Sequence, residues 1–204
     1  MRYSDAPEDR RVQIGWANGV TFPGQPFNQQ MTIPVELTLH PTREGVRMFA
    51  WPAKELDSVG RNREIAARQS VDHLYLKIGE PITISASNTR LDLFDFTCEL
   101  ELKDATNVTF TVCGTPLVYD AKANTLTCKH VKAPVVPTDG EVKLRVIGDR
   151  GSLEGFANGG QVAMSIGYTP SETDRTIDAS SEGGHAILRQ PAIVDLRDFQ
   201  SGPR

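Results

Sequence analysis

Phe94-Asp95-Phe96-Thr97-Cys98-Glu99-Leu100-Glu101-Leu102 is the stretch that decides the fold of this chain. Apolar and polar residues alternate along it without a break. Successive side chains of an extended strand point to opposite faces, so this segment buries one face and wets the other. The pattern returns at Val108, Phe110 and Val112, and again at Val142, Leu144 and Val146. Turn dipeptides punctuate the runs: Asp139-Gly140, Asn158-Gly159-Gly160 and Gly183-Gly184. Asn-Gly supplies the positive φ that tight hairpins demand, so residues 151–168 read as a β-hairpin. Short alternating strands between such turns predict an all-β chain whose larger part is an antiparallel β-sandwich.

Outward from that core the pattern changes. Pro170 to Asp174 is polar and reads as a loop, and Ile187-Leu188 with Ile193 to Leu196 read as closing strand material. Pro191 lacks an N–H for the ladder and predicts an edge or a bulge there. Toward the N-terminus, strands are expected near residues 11–16, 31–39 and 46–51, joined by the Gly/Pro/Asn-rich loop Thr21 to Asn28. From Pro52 to about Arg68 the residues are mainly Lys, Glu, Arg and Ala, favouring a short helical or irregular connector.

Composition excludes several function classes. The chain has 204 residues, 39% apolar and 24% charged, enough to bury a real core. Net charge is −4 and no lysine- or arginine-rich run appears, so nucleic acid is not an expected partner. No apolar run reaches the ~18 residues of a membrane span, so no membrane is expected either. Met1 to Asp9 lacks the apolar centre of a secretory signal. Cys98, Cys113 and Cys128 are odd in number and too widely spaced for paired metal ligands, so they read as small buried hydrophobes on strands. His40, His73, His130 and His185 show no metal-ligand spacing, and Gly159-Gly160 closes a hairpin rather than opening a phosphate-binding helix. No metal and no cofactor is expected.

Three ordered blocks carry a family signal: Arg10-Arg11-Val12-Gln13-Ile14-Gly15-Trp16-Ala17-Asn18, then Gln30 to Leu39 with its Ile33-Pro34-Val35-Glu36-Leu37 centre, then Trp51-Pro52-Ala53-Lys54-Glu55-Leu56. They resemble the end of the catalytic β-propeller in glycoside hydrolase family 32, the levanase, exo-inulinase and invertase family. A further run, Leu144 to Gly160 with Asp149-Arg150-Gly151-Ser152-Leu153-Glu154-Gly155-Phe156 at its centre, is similar to the signature of that family's C-terminal sandwich. Gly148, Gly151 and Gly155 depart from it, standing where relatives often have larger residues. The resemblance implies a remnant of the last propeller blade over residues 1–57, a connector over 58–72, a sandwich over 73–199 and a tail over 200–204. Such a remnant exposes strand edges and apolar faces that neighbouring blades would cover.

The implied chemistry is hydrolysis of terminal β-D-fructofuranosyl bonds with retention, on fructan or sucrose-type carbohydrate. That reaction needs two carboxyl groups about 5 Å apart. In the family they belong to Trp-Met-Asn-Asp-Pro-Asn-Gly and Glu-Cys motifs, with a further aspartate in Arg-Asp-Pro, and this sequence has none of the three. Arg197-Asp198-Phe199 lacks the proline and is given no role. The chain is therefore expected to hold no catalytic residue and to be inactive alone. The resemblance carries over one substrate-binding residue, Trp16, whose indole would face a sugar ring; a tryptophan of the core is the other reading. Asn18 has no assigned role, and Glu36 reads as structural. Asp149, Arg150 and Glu154 read as a charged cluster pairing weakly at the sandwich surface or the domain interface. Two other functions stay open: a non-catalytic carbohydrate-binding or structural sandwich, and one half of a two-chain enzyme whose missing propeller portion is a separate chain. The family also implies a secreted or periplasmic setting.

Overall fold

The computed structural model describes residues 2–18, 20, 26, 28–42, 44–59, 72–85 and 91–196. Its first part contains β1 (Arg2–Ala6), β2 (Arg10–Gln13), β3 (Trp16–Asn18), β4 (Gln29–Met31), β5 (Val35–Thr42) and β6 (Gly45–Pro52). Strands β1, β2, β5 and β6 form an antiparallel sheet in that order, while β3 and β4 pair as a two-stranded ribbon. The expected strands at 11–16 and 31–39 are thus each divided. Pro34 has no N–H to give to a ladder, so the β4–β5 strand breaks beside it. Across the break the Thr32 N–H donates to the Gly15 carbonyl at 3.0 Å, and the Gly15 N–H donates to Thr32 Oγ1 at 2.8 Å. These two bonds tie the ribbon that carries Trp16 to the strands of the sheet.

Within this first sheet Arg10 is the central tie. Its Nε donates to Glu36 at 2.8 Å, and its two terminal nitrogens donate to both carboxylate oxygens of Glu55 at 2.7 and 2.9 Å. The forked contact holds β2 and β5 to α1 (Glu55–Val59), the one short helix of the expected connector among the described residues. Hydrogen bonds from Arg10 hold the Glu55 carboxyl down at about 2. Glu36 is structural, as its strand position implied. Residues 60–71, the rest of the connector, lie outside the described residues, as do Arg197 to Phe199 and the tail.

The second part comprises β7 (His73–Leu76), β8 (Ile82–Thr83), β9 (Leu93–Leu102), β10 (Asn107–Val112), β11 (Thr115–Asp120), β12 (Thr125–Cys128), β13 (Val131–Pro134), β14 (Glu141–Asp149), β15 (Ser152–Ala157), β16 (Val162–Gly167), β17 (Ile177–Glu182) and β18 (Ala186–Asp195). They form two six-stranded sheets, β13-β12-β11-β10-β17-β8 and β16-β15-β14-β9-β18-β7, whose named pairs are antiparallel. Phe94, Phe96, Cys98 and Leu100 from β9 meet Val108, Phe110 and Val112 from β10 in one shared core. The Phe96 and Phe110 rings lie 5.8 Å apart at its centre. This is the antiparallel sandwich that the alternation predicted.

Local details follow the same physics. Hairpin β15–β16 turns at Asn158-Gly159-Gly160, all with positive φ. At Gly160 a side chain would lie 2.6 Å from the Ala50 carbonyl oxygen, so the turn seats directly on the β6 backbone. Strand β18 shifts register between Arg189 and Ala192, the bulge that Pro191 implied. All three cysteines are buried and free. Gly148 pairs across the ladder with Phe94, whose ring occupies the space a side chain would need.

Candidate functional site

Strand β15 departs from simple alternation: all six of its residues are buried. Leu153 and Ala157 face the sandwich core, while Ser152, Glu154 and Phe156 face outward. The outward face is covered because the first sheet packs onto it. Trp51 of β6 meets the Phe156 ring edge-on, with centroids 5.9 Å apart. Arg145, opposite Phe156 on β14, stacks over Trp51 at 5.5 Å from the ring centroid. Its guanidinium binds Asp95 at 2.7 Å and Asp57 of α1 at 2.9 Å. Burial works against the Arg145 charge, but these two carboxylates more than offset it and its pKa is raised.

Beside this junction lies a cleft of about 630 Å³ whose walls come from both parts of the chain. Trp16, Ala17, Val20 and Thr32 line one wall; Glu154, Ser165, Lys129 and His130 are on the other. Trp16 keeps 65% of its surface exposed. Its Nε1–H donates to Gln29 Oε1 at 3.1 Å, fixing the indole on the ribbon. Lys129 is tethered to the rim by donating to the Gly167 carbonyl at 2.8 Å.

Glu154 is the unusual group in the cleft wall. It is 2% exposed, yet no basic side chain pairs with it among the described residues. One carboxylate oxygen accepts the Ser165 hydroxyl; the other, Oε1, is buried with no hydrogen-bond partner. Burial pushes its carboxyl up to about 7, against the opposing pull of Ser165 and the Ile33 backbone N–H. The Asp149 charge, of like sign, pushes it the same way. The expected Asp149, Arg150 and Glu154 cluster is therefore corrected at Glu154: the Arg150 charge acts on Asp149, while Glu154 lies buried beneath the first sheet without a basic partner among the described residues. The signal that would have found it is Phe156, an aromatic two residues away on the same strand face, which needs cover.

Residues 64–195 match the family described as Glycosyl hydrolases family 32 C terminal. The chain belongs to that family. It is 27% identical over 210 residues to a levanase of Bacillus sp. (strain L7), covering 90% of this chain and 22% of that levanase. A levanase of Bacillus subtilis (strain 168) is 24% identical, with 97% of this chain and 32% of the levanase covered. The chain thus spans about a third or less of the length of these family 32 relatives. Among solved structures, exo-inulinase from Aspergillus awamori superposes with a TM-score of 0.73 at 19% identity, over 91% of this chain and 40% of that one. At that identity the likeness shows a shared fold. The sandwich and its attached sheet share their fold with that enzyme.

Proposed function

We propose that this chain acts as the C-terminal part of a β-fructofuranosidase of the levanase and inulinase kind, which hydrolyses terminal β-D-fructofuranosyl bonds with retention. The carrying observation is the match of residues 64–195 to the C-terminal part of family 32, together with coverage of only 22% of the L7 levanase. Residues 1–57 then form the end of the last propeller blade and 73–199 the sandwich. Leu39, Val46 and Met48 support this reading: they share one face of the β5–β6 pair and stand 57–73% exposed. Such a face suits an adjoining blade.

Trp16 is the residue of this chain assigned to substrate, offering a flat apolar surface to a sugar ring. The acid pair belongs to the remainder of the propeller, so the chain alone is inactive. The test joins or co-expresses this chain with the catalytic propeller portion of a levanase and measures fructose released from levan. Fructose release by the combination, with none from the isolated chain, supports the reading. Release by the isolated chain, or a combination that never assembles, overturns it.

A further inference from the structure

Glu154 stands on the face of β15 that the first sheet covers, between Ile147 and Ser165 on the neighbouring strands. The Ser165 and Ser152 hydroxyls and the Ile33 backbone N–H all reach its carboxyl, so two of these contacts come from the sandwich and one crosses from the first part of the chain. Ile33 follows Thr32, whose two bonds to Gly15 hold the Trp16 ribbon. The charged and titratable groups on the surrounding elements supply no compensating cation. Asp149 of β14 is of like sign, and Arg145 is committed to Asp95 and Asp57. Lys129, in the turn between β12 and β13, donates to the Gly167 carbonyl, and His130 and Tyr168 line the cleft beside it. Three neutral donors favour a carboxylate, but at 2% exposure they do not replace the lost water, and the carboxyl is pushed up to about 7.

We propose that Glu154 is a proton-operated latch: while its carboxyl is neutral the first sheet stays seated on β15, and when it ionises the sheet and the Trp16 ribbon lift from a sandwich that remains folded. Lifting returns the charged carboxylate to water, which is the gain that drives the opening. The sandwich does not need the seat, because its own two sheets share one core. The seat itself is narrow, made by the Trp51 and Phe156 rings, the Arg145 ion pair to Asp57 and the Gly160 turn on Ala50. Once lifted, the carboxyl returns toward the ordinary 4.5, so the seated form keeps a proton that the open form has released. Seating therefore weakens as pH rises from 4.5 to about 7 and is constant above. The ratio of seated to open forms falls on the order of fiftyfold between pH 5 and pH 8. This device belongs to the joint and is independent of the fructosidase reading.

The test follows amide hydrogen exchange of the full chain from pH 5 to pH 8, corrected for the pH dependence of intrinsic exchange. Amides of β5 and β6 should lose protection on the order of fiftyfold over that range, while those of β9 and β10 keep theirs. Glu154→Gln keeps the side-chain shape without the charge, so protection of β5 and β6 should stay flat with pH. Ser165→Ala removes a donor that favours the ionised form, and the pH at which the loss levels off should move upward. A contact that served packing alone would lower protection equally at every pH. Protection of β5 and β6 that does not change with pH, or a pH-dependent loss that survives in Glu154→Gln, overturns the proposal. A loss that β9 and β10 share equally overturns it too, since the chain would then be opening as one unit.

Discussion

The two parts of this molecule solve burial in opposite ways. The sandwich closes on itself: its two sheets share one core, and Phe94, Phe96, Phe110 and Tyr119 are all fully buried within it. The first sheet closes on nothing of its own. Among its described residues only Val20 and Ala53 are buried hydrophobics, while Trp16, Met31, Leu39, Val46 and Met48 are exposed. What anchors it is borrowed from the sandwich: Phe156 under Trp51, Arg145 against Asp57, and the Gly160 turn on Ala50. A regular hydrogen-bonded ladder does not by itself make an independently stable unit.

The largest effect is expected inside the self-sufficient half. Phe94→Ala empties a fully buried site and removes the ring that fills the space over Gly148, so it should destabilise the sandwich by about 4 kcal/mol. Denaturant unfolding followed by circular dichroism would measure this, and a loss below about 1 kcal/mol would mean the core is not the shared unit described. Because the first sheet leans on the sandwich, both parts should unfold together in this variant.

Arg145→Ala probes the junction instead. It leaves the half-buried Asp95 without its cation and removes the stack on Trp51, a loss of about 2 kcal/mol. Limited proteolysis should then cut within residues 1–57 well before it cuts the sandwich. Equal digestion of both halves would break the contrast drawn between them.

Glu154 gives the junction a pH dependence. Its carboxyl stands at about 7 in the folded chain against the ordinary 4.5. Between those values the folded state keeps the proton and the unfolded state releases it, so this group's contribution to stability falls as pH rises from 4.5 to 7 and stays low above. The loss amounts to about 3 kcal/mol. Glu154→Gln should therefore raise Tm at pH 8 and change it little at pH 4.5. A Tm difference that is the same at both pH values would show that the carboxyl is not desolvated by the first sheet. The smallest effect is expected at Gly155, where an added side chain meets nothing closer than Met164 Cβ at 4.0 Å. Gly155→Ala should stabilise by about 0.5 kcal/mol, seen as a small rise in Tm, because it only restricts the unfolded chain.

Much of the fold was legible because strand periodicity is local. The alternation from Phe94 to Leu102, the Asn158-Gly159-Gly160 turn and the Pro191 bulge each follow from a few adjacent residues and their backbone preferences. The division of the first strands at Ile14-Gly15 and Thr32-Pro34 was less legible, since an apolar run does not say where a sheet bends. At the candidate site the family resemblance points to Trp16, and the burial of Glu154 without a cationic partner is not legible in the sequence. The neighbours of Glu154 along the chain suggest a charged cluster pairing at the sandwich surface or the domain interface, and nothing local reports that a distant sheet takes it from water with no cation beside it.

What the sequence alone determined is therefore which residues share a strand face, because that depends only on the two-residue period of the extended backbone. What covers each face was decided by tertiary structure. Trp51, Ile33 and Asp57 come from a segment remote in sequence, and their packing onto β14 and β15 removes Glu154 from water, orients Arg145 and creates the cleft. Burial and pKa depend on the sum of contacts from all sides, and most of those at Glu154 are not its sequence neighbours.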